Sequence, residues 1–366
     1  MKLICQKNYI KEAVFLCEKI ASKNLNLPIL NNILIISKNK KLKLISTNLE
    51  IGIEVEVPSK IEKEGEIAVP ANIISNFLSN ITQDEKITFE VQNNNLLIST
   101  YNSSTLIKSH PTNDFPTLPD LKSDNFLLLP LNDFILGLKS VWYACSFSSI
   151  KPEISSVFLF SNKNNNITFT ATDSFRLAEK KFNYSFDNLG PLLIPFRTVA
   201  EILRIFDGKS GKININFNKN QINLELDNIK FISRLIDGIF PDYHQIIPQK
   251  FVTDVIVDKE DFVNSLKVAG LFSGKLNELS FTIYSDAESL MIKTFNSDTG
   301  EHTAKIKAQI TGDELKIVFN HKYIFDCLPS INSPQVLLRF SGEGKPLLVT
   351  GVKNNMFQYL IMPMSI

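Results

Sequence analysis

The chain has 366 residues, 44% of them hydrophobic, and its 39 basic and 38 acidic side chains leave a formal charge of +1. That balance excludes a protein held to nucleic acid by bulk positive charge, so any such contact must come from local patches or from shape. No segment is apolar for long enough to cross a bilayer, and Met1-Lys2-Leu3-Ile4-Cys5-Gln6 lacks the pattern of a signal peptide, which predicts a soluble cytoplasmic protein with no membrane contact.

The first predicted helix opens at Asn8-Tyr9-Ile10. Ala13, Val14, Leu16, Cys17 and Ile20 form its apolar stripe, while Lys7, Lys11, Lys19 and Lys23 lie mostly on other faces. Glu12 and Glu18 against those four lysines leave this segment at +2 (4 − 2). Asn32 to Ser37, Leu42 to Thr47 and Ile51 to Val57 follow, each alternating apolar and polar residues as half-buried antiparallel strands do. Lys38-Asn39-Lys40 supplies a turn between them, since asparagine tolerates the left-handed backbone of tight hairpins. Val69-Pro70-Ala71-Asn72-Ile73-Ile74 then turns a strand end into a second amphipathic helix, and Phe115-Pro116 marks a boundary.

These features return. Asp133-Phe134-Ile135 lies 125 residues beyond Asn8 (133 − 8), and Val157 to Ser161, Ile167 to Thr172 and Arg176 to Phe182 repeat the three strands. The turn recurs at Lys163-Asn164-Asn165, and Phe240-Pro241 follows Phe115-Pro116 by 125 (240 − 115). Ile194-Pro195-Phe196-Arg197-Thr198-Val199 and Phe319-Asn320-His321-Lys322-Tyr323-Ile324 repeat the strand-to-helix landmark, both at 125 (194 − 69 and 319 − 194). A third first helix opens at Asp261-Phe262-Val263, 128 beyond the second (261 − 133). The polar residues Asn8, Asp133 and Asp261 are expected to cap their helices. A period this long is a repeated domain, with units at 1–122, 123–249 and 250–366. Each unit has two helices on one face of antiparallel sheet, an α+β arrangement. Arg197 and Arg204 against Glu201 leave +1 on the second helix of the middle unit (2 − 1), and the other four helices are near neutral.

No catalytic constellation survives inspection. His110, His244, His302 and His321 lack metal-ligand spacing, and Cys5, Cys17, Cys145 and Cys327 are scattered in apolar surroundings, as buried free thiols are. Gly208-Lys209-Ser210-Gly211-Lys212 and Ser341-Gly342-Glu343-Gly344-Lys345-Pro346 both fail the spacing of a phosphate loop. Asp173, Ser174 and Arg176 could form a small hydrolytic site, but no base accompanies Ser174. The expectation is a protein without enzymatic activity, cofactor or metal.

Ala171-Thr172-Asp173-Ser174-Phe175-Arg176-Leu177-Ala178 and Tyr359-Leu360-Ile361-Met362-Pro363-Met364-Ser365-Ile366 resemble segments of the bacterial sliding clamps, the β subunits of DNA polymerase III. Leu27-Pro28-Ile29-Leu30, Lys151-Pro152 and Phe240-Pro241-Asp242-Tyr243 add to the likeness, which runs end to end in matching order. Helix packing agrees with what the resemblance implies. Six helices side by side at ~9 to 10 Å close a ring only about 18 Å across, too small for a duplex roughly 20 Å wide, whereas twelve give about 35 Å. A head-to-tail homodimer, a ring, is the closed solution.

The resemblance implies a non-catalytic clamp that encircles double-stranded DNA without sequence preference and tethers the replicative polymerase. Its partners would be the polymerase III α subunit, the clamp loader and other proteins with clamp-binding motifs. DNA-facing candidates are Lys19, Lys23, Lys151 and Arg197; at Asn24 the family usually has a basic residue. The partner-peptide cleft would be walled by Ile154, Thr172, Phe175, Arg176, Leu177, Pro241, Ile246, Leu360, Ile361, Met362, Pro363 and Met364. Ser174-Phe175 stands where Gly-His is usual and Ser365 where a basic residue is usual, which implies an altered cleft shape and peptide preference. For the dimer contact, Phe77 and Ile107 of the first unit are expected against Leu271 and Phe272 of the third. The rival reading is a three-domain peptide-binding scaffold that does not encircle DNA.

Overall fold

A computed structural model describes residues 1–21, 27–81, 86–121, 125–148, 150–162, 166–184 and 189–364. Lys23, Asn24, Ser365 and the turn expected at 163–165 lie outside them. The described residues hold six α-helices, two per repeat: α1 (Lys7–Ile20), α2 (Ala71–Asn80), α3 (Leu131–Val141), α4 (Phe196–Phe206), α5 (Lys259–Gly270) and α6 (His321–Cys327). The second helix of each repeat starts at 71, 196 and 321, which carries the 125-residue period into the fold (196 − 71 and 321 − 196).

The alternating segments are strands, all antiparallel. Asn32–Lys38, Lys41–Thr47 and Ile51–Val57 form the first repeat's meander, and Ser156–Asn162, Asn166–Thr172 and Arg176–Phe182 form the second's. The turn residues Asn39 and Lys40 both take positive φ, 52° and 61°, as the hairpin requires. On α1 the expected stripe is buried, with Ile10 added to it.

The sheets do not stop at the repeat boundaries. Ile51–Val57 of the first repeat pairs with Ile229–Arg234, the last strand of the second, from Ile229↔Val55 to Ser233↔Ile51. Arg176–Phe182 pairs in the same way with Asn354–Ile361, the last strand of the third. The middle repeat is therefore divided between two compact units, Met1–Asn132 with Ala200–Leu235, and Asp133–Val199 with Ile236–Ile366. The first holds a five-stranded and an eight-stranded sheet, the second a twelve-stranded one.

The expected caps are not where the sequence put them. Asn8 is the second residue of α1, and Asp133 and Asp261 are the third residues of α3 and α5. Strands run into helices without a loop, so the capping position falls to the last strand residue. Asp258 fills it for α5, its Oδ1 accepting from Glu260 N at 2.9 Å and Asp261 N at 3.1 Å, and Asn320 does the same for α6. Gln6, before α1, makes no side-chain cap bond. Asp133 and Asp261 still lie in first turns, where the helix dipole favours a negative charge.

All four cysteines are buried free thiols, and burial pushes the pKa of Cys5 and Cys145 up to about 12. Asp258→Ala is expected to lower stability by about 1 kcal/mol in urea denaturation followed by circular dichroism, with Asp258→Asn restoring most of it.

Candidate functional site

The site is organised by one five-residue turn. Thr172 ends a strand and Arg176 begins the next. Thr172 Oγ1 donates to Arg176 O at 2.7 Å, and Asp173 Oδ1 accepts from the backbone N–H groups of Phe175 and Arg176, both at 3.0 Å. Closing the turn so tightly puts Ser174 at a φ of 80°. Asp173 Oδ2 also takes Arg176 Nε at 2.9 Å, so its carboxylate is consumed by the turn.

Arg176 is buried, and a second carboxylate, Asp326 on α6, meets its Nη1 at 2.7 Å. Tyr323 lies under the guanidinium at 4.3 Å. Burial disfavours the charge, but Tyr359, Asp326 and Asp173 outweigh it and hold the pKa above its ordinary value. The turn presents Phe175 outward, 60% exposed.

The C-terminal segment is held against this turn. Met362 N donates to Phe175 O at 2.8 Å and Met364 N to Val318 O at 2.9 Å, leaving Met362 exposed and Pro363 and Met364 half-buried. One strand residue earlier, Leu360 pairs with Leu177 across the sheet. Phe240 and Tyr243 cover both leucines in a cluster with Leu193 and Leu348. Beyond them a groove of about 450 Å³ is lined by Ile247, Phe251, Leu348 and Arg339, whose guanidinium lies 4.3 Å over the Phe251 ring.

A buried acid fastens the covering segment. Glu179 is 1% exposed; it accepts from Tyr243 Oη and Gln358 Nε2, and Lys181 Nζ lies 2.7 Å away. Burial, then the charge of Glu179, raises the Tyr243 pKa above its ordinary value. A buried carboxylate with three donors holds the segment in one place.

The structure thus brings Thr172, Phe175, Arg176 and Met362 together, with Pro363 and Met364 next along the chain. Leu177 and Leu360 lie beneath the covering segment, on which Pro241 is exposed and Ile246 is 50% exposed. Ile154 and Ile361 are buried and present no surface. Lys151 and Arg197 are exposed. Lys19 is half-buried, its Nζ donating to Arg204 O at 2.8 Å, and burial followed by Arg204 lowers its pKa. Leu271 caps α5 and is 71% exposed, Phe272 stacks on His302 at 6.0 Å, Phe77 is half-buried, and Ile107 is buried within its own sheet.

Asp326, Tyr323, Glu179 and the anchoring role of Tyr243 were missed from sequence. Asp326 and Tyr323 reach Arg176 from about 150 residues along the chain, a separation no local pattern reports. Glu179, an acid inside a predicted strand, was the one available signal.

The chain matches family models for three parts of the DNA polymerase III beta subunit: the N-terminal domain over residues 1–119, the central domain over 135–242 and the C-terminal domain over 244–365. It is 27% identical to the "Beta sliding clamp" of Synechocystis sp., covering 100% of both chains. It is 26% identical to that of Bacillus subtilis over 99% of each. A crystal structure of the Bacillus subtilis DNA polymerase sliding clamp superposes with a TM-score of 0.95 at 26% identity, covering 100% of this chain and 99% of that one.

Tyr243→Phe should cost about 1 to 2 kcal/mol near pH 8. A raised tyrosine pKa stabilises the fold fully below the unfolded value of about 10 and is lost as pH rises above it. The urea midpoint of the parent should therefore fall more steeply than that of Tyr243→Phe between pH 9 and pH 11; equal slopes would contradict the role given to this hydroxyl.

Proposed function

Because this chain belongs to the family of DNA polymerase III β subunits, the β sliding clamps, we propose that two copies close head to tail around duplex DNA and hold the replicative polymerase on its template. The protein is a processivity factor, a non-catalytic accessory of DNA polymerase III. Its three repeats, α+β domains of the clamp type, are assigned to 1–122, 123–249 and 250–366.

The observation that carries the ring is the pattern of strand pairing. Twice within the chain, the third strand of a repeat takes the last strand of the next repeat: Ile51–Val57 with Ile229–Arg234, and Arg176–Phe182 with Asn354–Ile361. The third repeat's equivalent is the first half of Gly300–Gly312, which pairs with Ser289–Asn296 on one side. Its second half pairs with Thr253–Asp258, so among the described residues no strand takes the other side of 300–306. The last strand of the first repeat, Ser104–Ile107, is also an edge, at the end of the five-stranded sheet. Pairing these two edges between copies satisfies both, and doing it twice closes a two-fold assembly in which neither of them is left open. Leu271, Phe272 and Phe77 flank the junction in this reading, and Ile107 supports it from within its sheet.

Two copies supply twelve helices, enough for a ring about 35 Å across. Lys151 and Arg197 offer positive charge toward the duplex, and Lys19 adds charge while anchored to α4. A net charge of +1 leaves little non-specific grip, which suits a protein that must slide. The turn at Thr172, the covering segment and the C-terminal segment form the cleft for linear peptides of the polymerase α subunit, the clamp loader and repair proteins. Methionine and an exposed Phe175 give that surface an adaptable apolar character. Work on DNA places the protein in the cytoplasm, and among the described residues no helix is long and apolar enough to cross a membrane.

Two variants test closure. Leu271→Asp puts a charge at the junction, and Leu106→Pro removes an outward-facing donor from the Ser104–Ile107 edge, whose Thr105 pairs inward with Ile98. Each should weaken dimerisation by at least about 30-fold, the effect of losing a hot-spot contact of ~2 kcal/mol. Sedimentation velocity at nanomolar protein should show monomers; two folded variants still dimeric there would remove these edges from the interface.

A further inference from the structure

The turn that organises the cleft is built twice. Thr47-Asn48-Leu49-Glu50-Ile51 lies 125 residues before Thr172-Asp173-Ser174-Phe175-Arg176 (172 − 47) and repeats its bonds. Thr47 Oγ1 donates to Ile51 O at 2.8 Å, and Asn48 Oδ1 accepts from Glu50 N at 3.1 Å and Ile51 N at 2.8 Å. Leu49 takes a φ of 76° where Ser174 takes 80°. Arg234 N donates to Glu50 O at 3.1 Å, as Met362 N does to Phe175 O at 2.8 Å. The pairings Ile51↔Ser233 and Arg176↔Ile361 put the neighbouring strand in the same place in both frames.

A proline-bearing segment covers each frame, but the two differ beneath it. Where the second frame has Leu177, the first has Gly52, and a Cβ built on Gly52 would fall 2.3 Å from Leu118 Cδ2. The isobutyl group of Leu118 therefore occupies the space a side chain would fill. It sits beside a groove of about 420 Å³ whose lining includes Leu49, Pro116, Pro119, Ile232 and Arg234. The residue 125 beyond Leu118 is Tyr243, which Glu179 fastens by a hydrogen bond. The counterpart of Glu179 is Glu54, whose carboxylate is paired with Lys43 at 2.6 Å. Leucine has no polar group to be fastened by, so the Leu118 side chain is held by packing and is only half-buried, and the segment's polar tie falls two residues on, where Asp120 meets Lys230 Nζ at 2.9 Å.

We propose that the groove over Gly52 is a second peptide-docking site, selective for a linear segment that presents a leucine side chain, and that the chain keeps it closed in cis with Leu118. The inference rests on reading the second frame as the partner cleft. The seated residue defines the ligand chemistry: a leucine over bare glycine backbone, carried on an extended proline-flanked strand. A tethered plug competes at the millimolar effective concentration of a short linker, so weak external peptides are excluded while it is seated. One open cleft per chain is the consequence, although the fold builds the frame twice.

The test uses the full-length protein and a fluorescein-labelled peptide with the sequence of residues 115–120, Phe-Pro-Thr-Leu-Pro-Asp, followed by fluorescence anisotropy. Leu118→Ala should bind it at least about tenfold more tightly than the parent, at one equivalent per chain. The gain should persist with Met364→Ala added, which alters only the other frame, and vanish with Gly52→Val. No gain in a Leu118→Ala protein of unchanged circular dichroism overturns the proposal, as does a gain abolished by Met364→Ala. Independently, Gly52→Ala should expel Leu118 and speed proteolysis between residues 116 and 119 about tenfold; an unchanged rate also overturns it. Failure of the cleft reading would look different: the polymerase III α subunit would bind the parent and Met364→Ala equally.

Discussion

An unpaired edge of antiparallel sheet is a row of backbone donors and acceptors that must find partners, and every repeat of this chain presents such an edge on its third strand. In the first two repeats the chain satisfies it internally, with the last strand of the following repeat. The sheets consequently run through the domain boundaries, and each compact unit takes in part of the middle repeat. Among the described residues no strand takes that edge of the third. Its edge and the edge at Ser104–Ile107 are left over together, so the proposed junction extends to two chains the pairing that holds one together. Head-to-tail closure needs no contact type that the monomer does not already use.

Much of this fold was legible because its period-two and 125-residue signals are independent and agree. Ile51–Val57 and Arg176–Phe182 run between the bounds read from their alternation. Helix starts were less legible. A polar residue near the first turn looks alike whether it caps the helix or lies inside it, and here the preceding strand runs straight into the helix. Asp258 and Asn320, at the ends of strands, therefore do the work expected of residues such as Asp261.

The site was legible as a set of segments and illegible as a network. The likeness around Thr172–Leu177 and at the C-terminus located the turn and the tail that Met362 and Phe175 join. It said nothing of Asp326 and Tyr323, which hold Arg176 from the third repeat, or of Glu179, which fixes the covering segment. Lys19, a lysine expected to face DNA, also donates a hydrogen bond to the carboxyl end of another helix, where the dipole favours its charge, a contact that charge counting does not report. Comparing the two frames shows how little sequence separates them. Gly52 and Leu118 in place of Leu177 and Tyr243 convert a cleft floored by fixed side chains into one filled by its own linker.

The central claim is topological, and a topological link is insensitive to screening by salt. Protein loaded onto nicked circular DNA and washed at high salt should stay on the circle and leave promptly once the circle is linearised. Equal rates of loss from circular and linear DNA would contradict encirclement and favour a peptide-binding scaffold.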